Sequence, residues 1–410
     1  MAKEVTPSLG KANKLLALQF LSDFGDQITA ALIALCILDI TQSTGKVGFI
    51  YIITTLGFVI FTLIGGLLGD TFSRRNILCF ADLGRGIAVL LLVVAVNEKS
   101  IGLIYATSFL LSILSSLHGP VKVSMWTENI PANYLERYNS LFELSLQAST
   151  ILGPLIASFF LLKGWISIGF ALDALTFFMC AIIFMQIVTG KPQNNKPKPK
   201  RDFLQGFKII SQENEIKAYV AYDAIQMIGF GAFNAIFLVL AQRDFGWSKA
   251  DYSFHLTIVA LFAVVGALIG ATRAAARMDP IVKLTACALI SALALYGVLV
   301  VQSFPQSSLL FGISEGIIVM TMAVARSKVQ LRAKQLYPEH LSSVIASRSI
   351  IIKAATLLGT GSCLLIEKFF SLETTLMLFI IPIALSCFPL LFGIRKTMPT
   401  VPAVELIKTN

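Results

Sequence analysis

Two aspartates stand inside the first long apolar run of this sequence, where an ionised side chain is costly to keep. Asp26 lies about eleven residues into the run, or about 16 Å at 1.5 Å per residue, and Asp23 precedes it by one helical turn. Two acids so close favour sharing one proton, so we predict a proton or ion site at Asp26 and Asp23. The alternative is a structural carboxylate, capped by a neighbouring helix or paired with a lysine.

Three more charged residues and one glutamine are candidates for binding charge. Glu315 lies a third of the way through its apolar run and is a further candidate proton or ion site, while Lys353 lies near the middle of another run. A charge at a bilayer centre costs at least about 2.5 to 3.5 kcal/mol, so Lys353 needs a carboxylate partner or an anionic ligand. We predict that Lys353, Gln147 and Glu143 contact substrate. A static pair of Lys353 with Glu315 or Asp26 is the alternative.

Other charged residues stand nearer the ends of their apolar runs. There a long side chain can reach the membrane surface by snorkelling, which explains the residue without a function. These residues are Asp82, Arg85, Asp173, Asp223 and Arg348, and the same explanation is open for Glu143.

The sequence lacks the patterns typical of a metal site, a catalytic triad or a phosphate-binding loop followed by lysine. Its three histidines are isolated, and its six cysteines fall inside apolar runs without metal-ligand spacing. We therefore expect no enzyme activity, no metal and no cofactor. Energy should come from an ion gradient rather than from ATP hydrolysis.

The elements that carry these residues are apolar runs of about twenty residues, the length that crosses about 30 Å of hydrocarbon. Of the 410 residues, 56% are hydrophobic and 14% are charged, whereas a soluble domain is nearer a quarter charged. The first run has no small-residue cleavage site, so we expect it to remain as a span. The predicted fold is an all-α integral membrane protein with twelve transmembrane helices. The predicted spans are 15–38, 47–69, 77–96, 101–118, 141–162, 167–189, 218–242, 252–272, 281–301, 308–326, 342–366 and 374–394.

An even number of spans puts both termini on one side of the membrane. If that side is cytoplasmic, 24 of the 33 Lys and Arg residues fall on inside segments or at the inside end of a span, and 6 fall on outside loops. This bias is typical of membrane proteins, so we predict a bacterial inner-membrane protein with both termini in the cytoplasm. The basic residues at the cytoplasmic ends of the helices thereby explain the net charge of +10. We therefore expect no nucleic-acid partner.

A basic, proline-rich segment divides the spans six and six. We predict an N-terminal six-helix bundle over 1–189, a cytoplasmic linker over 190–217 and a C-terminal six-helix bundle over 218–410. Residues 203–210 mix apolar and charged side chains and predict a short amphipathic helix at the membrane surface. With an offset of 206, residues 146–153 align with 352–359, which suggests two pseudo-symmetric halves and matches Gln147 with Lys353.

The loop between spans 2 and 3 reads GLLGDTFSRR over residues 66–75 and resembles the signature loop of the major facilitator superfamily. The match holds at Gly66, Leu68, Asp70, Arg74 and Arg75. The resemblance implies a gating loop, in which the glycine allows close packing, the aspartate pairs with a basic residue or helix end across the bundle, and the basic pair anchors the turn. The sequence departs from the family at Thr71 and Ser73, where arginine and glycine are usual, which implies a looser latch. An ordinary positive-inside loop would explain only the arginines.

Span 5 contains Gly153 and Pro154, followed by Ala157 and Ser158, and is similar to the antiporter motif of the same superfamily. A proline kinks the helix, and small neighbours let helices from opposite halves approach closely. The family usually has glycines where this sequence has Ala157 and Ser158. The alternative is a structural Gly-Pro kink of the kind found in many polytopic proteins.

Four segments of the first half look like the branch of the superfamily that holds macrolide and siderophore exporters and lysophospholipid transporters. These segments are residues 19–22, 24–26, 119–122 and 139–143. The resemblance implies a two-bundle, alternating-access transporter whose partners are a small amphiphilic substrate, protons and the lipid bilayer. We expect a monomer that exports a drug or siderophore in exchange for protons. Lysophospholipid transport and siderophore import are the alternatives.

Overall fold

The computed structural model describes residues 8–42, 44–186 and 202–393 of the protein. Within these ranges the fold is helical without strands, and twelve helical segments are long and apolar enough to cross a membrane, so the predicted fold class is confirmed. Helices α7 and α10 are short, and α14 and α15 together form the twelfth span. In chain order the helices are α1 (Leu9–Thr41), α2 (Thr44–Thr71), α3 (Arg74–Asn97), α4 (Ile101–Asn129), α5 (Leu135–Leu162), α6 (Ile166–Gln186), α7 (Gln205–Gln212), α8 (Asn214–Val239), α9 (Lys249–Gly270), α10 (Arg273–Arg277), α11 (Pro280–Val301), α12 (Gln306–Leu336), α13 (Leu341–Ile366), α14 (Leu372–Leu385) and α15 (Phe388–Gly393).

Several helices continue on one side well beyond their predicted spans. Helix α4 runs to Asn129, although the predicted span ends at 118, and α12 runs to Leu336 rather than to 326. Hydropathy detects only the part of a helix that lies in hydrocarbon, so the polar turns beyond it are missed. The two extensions meet, because Lys334 Nζ of α12 donates to the Thr127 carbonyl of α4 at 2.7 Å.

The two halves, α1–α6 and α8–α15, repeat one close helix contact. A Cβ at Gly153 of α5 would lie 2.5 Å from Gln27 Cβ of α1, and a Cβ at Gly359 of α13 would lie 2.0 Å from the Ile228 carbonyl oxygen of α8. The two glycines are related by the offset of 206, so the repeat in the sequence corresponds to a repeated helix contact. The approach of opposite halves that the motif implies is not formed at Gly153, because this glycine packs within its own half. Pro154 is exposed.

Helix α7, which follows the linker, packs on protein. Gly206, Ile209 and Ile210 are buried, and a Cβ at Gly206 would lie 2.1 Å from the Ser343 carbonyl oxygen near the start of α13. The predicted amphipathic helix is therefore present, but these residues contact the C-terminal half rather than the membrane surface. The basic stretch 191–201 lies outside the described residues.

The described contacts between the halves concentrate on one side of the bundle, where α1 begins, α2 ends and α7 packs. We call this side the linker side. Here Asn139 Nδ2 of α5 donates to Ser327 Oγ and to Gln330 Oε1 of α12, both at 2.8 Å. Helices α1 and α8, the first of each half, do not pack extensively on each other in the described part of the chain. The halves are therefore held together on the linker side.

We predict that the linker side is cytoplasmic, as the positive-inside count requires. In a background without the six native cysteines, a cysteine replacing exposed Lys208 of α7 should not react with an impermeant thiol reagent added outside intact cells. A cysteine replacing Lys99, an exposed residue in the turn between α3 and α4 on the opposite side, should react. Labelling of Lys208→Cys from outside, with Lys99→Cys protected, would reverse the orientation.

Candidate functional site

A cavity of about 230 Å³ lies between the two halves, and we call it the central cavity. Part of its wall is aromatic and is formed by Phe58, Trp126 and Phe142. Both halves contribute charge to it. The ionisable residues of the wall are Lys122 and Glu143 from the N-terminal half and Arg326 and Arg348 from the C-terminal half. A ligand in this space would contact both halves at once.

Two ion pairs border the central cavity. Arg326 of α12 lies 2.5 Å from Glu143 of α5 and so bridges the halves. Arg348 of α13 pairs with Asp223 of α8, and neither side chain is more than 7% exposed. Snorkelling at the membrane edge is therefore the wrong explanation for Glu143, Asp223 and Arg348, because helix packing buries them inside the bundle. Glu143 lines the cavity, as a substrate contact would, but Arg326 already holds its carboxylate.

Lys353 of α13 is exposed and is not one of the residues that line the central cavity, but it lies against Phe58, which does line it. Its Nζ lies 5.4 Å from the centroid of the Phe58 ring, which is within the range of a cation–π contact. Among the described residues no carboxylate oxygen lies within 4.0 Å of this ammonium, so the static pair with Glu315 or Asp26 is not formed. Gln147 is half-buried on α5 and is not one of the residues that line the cavity.

Asp26 belongs to a cluster of charged residues that lies largely inside the N-terminal half. Arg85 Nη2 of α3 donates to both carboxylate oxygens of Asp26, at 2.7 and 2.6 Å, and Arg85 Nη1 donates to Asp82 at 3.1 Å. His118 Nε2 of α4 lies 3.3 Å from the same Asp82 oxygen. Asp173 of α6 is close enough to act on Arg85 electrostatically. We call Asp26, Asp82, Arg85 and Asp173 the Asp26 cluster.

Charge in the Asp26 cluster does not balance. Its three carboxylates share one guanidinium, although His118 and Lys122 also act on Asp82 from outside the cluster. Asp173 accepts a hydrogen bond from Thr29 Oγ1 at 2.5 Å and forms no ion pair with a described residue. Uncompensated negative charge is costly in a membrane interior, so the cluster is suited to binding a proton. Asp82, Arg85 and Asp173 are at most 2% exposed, and their assignment to the membrane edge is wrong because they face neighbouring helices.

Asp23 and Asp26 contact different helices. Asp23 accepts hydrogen bonds from Gln19 and, at 3.2 Å, from Ser145 Oγ of α5, whereas Asp26 faces α3. The carboxylates of Asp23 and Asp26 are therefore not in the direct contact that sharing one proton would require. Asp26 lies seven residues beyond Gln19, which lines the central cavity, so the two share one face of α1. Its side chain is 41% exposed, which gives this acid access to protons while Arg85 stays buried.

Glu315 of α12 is half-buried, and no Lys or Arg nitrogen of the described residues lies within 4.0 Å of its carboxylate. Its Oε2 has no hydrogen-bond partner in the part of the chain that the structure describes. Helix α12 packs tightly on α9 here, since a Cβ at the adjacent Gly316 would lie 2.6 Å from the Phe262 carbonyl oxygen. A proton is the simplest means of neutralising a carboxylate in such a place. The predicted role of Glu315 as a proton site stays a prediction that this geometry favours.

Asp70, in the last turn of α2, joins the two halves. Its carboxylate oxygens accept hydrogen bonds from the backbone N–H groups of Ser342, at 2.8 Å, and Ser343, at 2.9 Å, at the start of α13. The first N–H groups of a helix lack intrahelical partners and carry partial positive charge, so an aspartate is well placed there. Arg74 pairs with Glu128 of α4 and lies 4.0 Å from Asp70. We call the contact of Asp70 with Ser342 and Ser343 the Asp70 latch.

Gly66 and Arg75 differ in their distance from this latch. A Cβ at Gly66 would lie 2.7 Å from Ala346 Cβ of α13, so glycine lets the halves approach here. Arg75 is exposed and reaches only the Met185 carbonyl, at 3.5 Å. The structure therefore places Gly66, Asp70 and Arg74 at the closure between the halves and Arg75 outside it.

Sequence reasoning missed three basic residues of the site: Arg85, Lys122 and Arg326. Asp82 and Arg85 are three residues apart, a spacing that indicates an ion pair on one helix face. Lys122 lies in the segment 119–122, for which the family resemblance gave no role. Nothing in the sequence connects Arg326 with Glu143, because the two lie in different halves.

Comparison with known proteins identifies the family. The Major Facilitator Superfamily pattern matches residues 15–334. The uncharacterized MFS-type transporter YfiS of Bacillus subtilis is 25% identical over 197 residues, covering 47% of this chain and 46% of that protein. The enterobactin exporter EntS of Shigella boydii serotype 18 is 21% identical over 263 residues, covering 63% of each. The Na(+), Li(+), K(+)/H(+) antiporter of Planococcus maritimus is 28% identical over 116 residues, covering 28% of this chain and 27% of that protein. The chain thus matches less than two thirds of the length of each relative.

Solved structures share the fold over nearly the whole chain. A bacterial homologue of the iron transporter ferroportin, in an outward-facing state, has 13% identity and a TM-score of 0.71, covering 94% of this chain and 99% of that one. The Escherichia coli fucose:proton symporter FucP has 14% identity and a TM-score of 0.75, covering 94% and 98%. With the sequence pattern matched over more than half of its length and this twelve-helix fold, the protein belongs to the Major Facilitator Superfamily, a family of membrane transporters.

Proposed function

We propose that the protein is a secondary transporter that exports a small amphiphilic organic compound, such as a drug or siderophore, across the bacterial inner membrane in exchange for protons. The observation that carries the proposal is the central cavity, because both halves wall it and both contribute charge. In alternating access, such a cavity opens in turn to each side as one half rocks against the other. With the linker side in the cytoplasm, the described conformation is closed toward the cytoplasm.

The lining of the central cavity suits an amphiphilic compound. Phe58, Trp126 and Phe142 offer apolar ring surfaces, and the ionisable residues beside them can fix the orientation of a polar group. An enterobactin exporter and a cation/proton antiporter are among the relatives, which supports export coupled to protons.

Protons have two candidate binding places in this proposal. The Asp26 cluster has more carboxylates than cations, and Glu315 forms no ion pair with any residue that the structure describes. A proton bound at either place changes the electrostatic free energy of the conformation that holds it, and a ligand shifts an equilibrium only through such a difference between states. Proton binding therefore biases the exchange between the conformation with the Asp70 latch closed and the one with it open.

Transport by purified protein in proteoliposomes tests the proposal. The vesicles contain a pH-sensitive dye, and siderophores and drug-like amphiphiles are added singly, with and without an imposed proton gradient. We expect at least one compound to move protons across the membrane and to accumulate only when the gradient is present, while vesicles of the same lipid without protein do neither. Accumulation of a compound to the same level with and without the proton gradient would contradict proton coupling. Transport of lysophospholipid and of no other compound would contradict export of a soluble compound.

A further inference from the structure

We infer that the substrate of the central cavity is an organic anion, with Lys353 as its main counter-charge and Lys122 as a second. The inference rests on the proposed function in one respect, which is that it takes the central cavity as the substrate site.

Two lysines, one from each half, lie against aromatic rings of the central cavity. Lys122 Nζ is 5.3 Å from the centroid of the Trp126 ring, and Lys353 Nζ is 5.4 Å from that of Phe58. Within the described ranges of the chain, neither ammonium has a carboxylate oxygen within 4.0 Å. A ring face offsets only part of the cost of holding a charge inside a membrane. An anion bound in the cavity would supply the remaining compensation.

The acids near the cavity already have partners. Glu143 is paired with Arg326, and Asp223 with Arg348, so these two pairs leave no negative charge for Lys353. Among the described residues, Lys353 is therefore a cation beside the central cavity that has no carboxylate partner and whose side chain is exposed to an incoming anion.

Lys122 differs from Lys353 because acids lie behind it in the N-terminal half. Asp23 and Asp82 act on it electrostatically, although Asp23 is hydrogen-bonded to Gln19 and Ser145 and Asp82 is held by Arg85. The positive charge of Lys122 therefore acts both on the acids inside the N-terminal half and on the central cavity. We expect it to contribute less to anion binding than Lys353.

The shape and chemistry of the wall narrow the class of anion further. Phe58, Trp126 and Phe142 favour a flat or apolar body, since ring faces bury apolar surface and stack on other rings. A cationic head group would meet Lys122, Arg326 and Arg348 and be repelled. A carboxylate, a phenolate and a phosphate all have the required charge, and the group could belong to a soluble organic acid or to the head of an anionic lysophospholipid.

Ligand-dependent thermal unfolding of the purified protein in detergent tests the inference without requiring transport. The probes are 4-phenylbutyrate, its amide and 4-phenylbutylamine, which share one body and differ only in the charge of the head group. Lysophosphatidylglycerol and lysophosphatidylcholine, with the same acyl chain, test the lipid source. Since a ligand that binds only the folded state raises the unfolding midpoint, an affinity follows from the concentration dependence. We expect the anion of at least one series to raise the midpoint and its uncharged or cationic counterparts not to.

Variants then assign the binding to the two lysines. We expect Lys353→Gln to weaken anion binding about tenfold, the usual effect of losing one charged hydrogen bond, and Lys122→Gln to weaken it less. Lys353→Arg should retain binding. The matched control is Lys163→Gln, which removes an exposed lysine from the turn between α5 and α6. The unliganded midpoint of each variant reports whether it is folded.

Each outcome decides a separate point. Equal stabilisation by amine, amide and carboxylate, or anion binding unchanged in Lys353→Gln, would overturn the inference. Stabilisation by lysophosphatidylglycerol alone would support the anion class and identify a lipid as its source. If the protein binds anions but shows no proton-linked uptake in vesicles, the inference stands and the proposed function is overturned. If it takes up amines and does not bind anions, the proposed function stands and the inference is overturned.

Discussion

Asp26→Asn is expected to abolish accumulation of substrate against its gradient while downhill exchange continues. Asparagine keeps the shape of the side chain but cannot bind or release a proton, and the Asp26 cluster loses the one carboxylate that is 41% exposed. Alternating access itself does not require that proton. The measurement compares gradient-driven accumulation with counterflow in proteoliposomes, at equal amounts of reconstituted protein. Any pH dependence of the rate in the parent should become flatter in the variant.

The ion pair with Arg85 provides the control for this prediction. Arg85 is buried, so loss of transport in Asp26→Asn could reflect a buried guanidinium without its partner and not the loss of a proton site. The double variant Asp26→Asn with Arg85→Gln removes both charges of the pair, and Asp39→Asn removes an exposed acid from the same helix. Accumulation restored in the double variant would mean that Asp26 only neutralises Arg85. Wild-type accumulation in Asp26→Asn would leave Asp173 of the same cluster and Glu315 as the candidate proton sites.

Asp70→Asn is expected to stop most turnover while substrate binding survives. The change replaces a carboxylate that accepts two backbone N–H bonds by a neutral amide, and hydrogen bonds to charged groups are each worth roughly 1.5 to 3 kcal/mol. Weakening the Asp70 latch by even one such bond shifts the populations of the two conformations by about tenfold or more. Transport should fall by a similar factor, because one half of the cycle is disfavoured.

Accessibility of a buried residue reports the shift in population directly. Ser327 is 1% exposed on the linker side, where Asn139 contacts it, so a cysteine replacing it should be protected in the parent and react with a thiol reagent in Asp70→Asn. Arg75→Gln is the matched control, because Arg75 is in the first turn of α3, close to Asp70 in the sequence, but is exposed and lies outside the closure. Equal loss of binding and turnover in Asp70→Asn, with Ser327→Cys still protected, would contradict a gating role.

The sequence predicted the helices more fully than the contacts among them. Each span consists of about twenty apolar residues, a signal that is local and therefore readable along the chain. The same reading placed Asp82 and Arg85 near a membrane edge, because it measured only their distance from the end of span 3. Burial in a bundle depends instead on which neighbouring helix a residue faces, and no local pattern specifies that neighbour.

For the charged residues of the site, too, the sequence predicted which residues are unusual but not which residues they contact. Depth in an apolar run was enough to select Asp26, Glu315 and Lys353 as unusual. Their partners could not be predicted, since Arg85 is on another helix and the contact of Lys353 with Phe58 joins different halves. Asp70 was recognised through its loop, yet its acceptance of two helix N–H groups depends on how α2 meets α13.

The Asp70 latch has a consequence for isotope exchange. First-turn amides of a helix have no intrahelical acceptor and normally exchange quickly with solvent deuterium. The amides of Ser342 and Ser343 are instead held by a carboxylate of the other half and lie in a buried contact. Their rate of deuterium uptake, divided by the intrinsic exchange rate at the same pH, therefore follows the fraction of time that the linker side is open. These two native amides thus measure the conformational equilibrium of the unmodified protein in any lipid and with any bound compound.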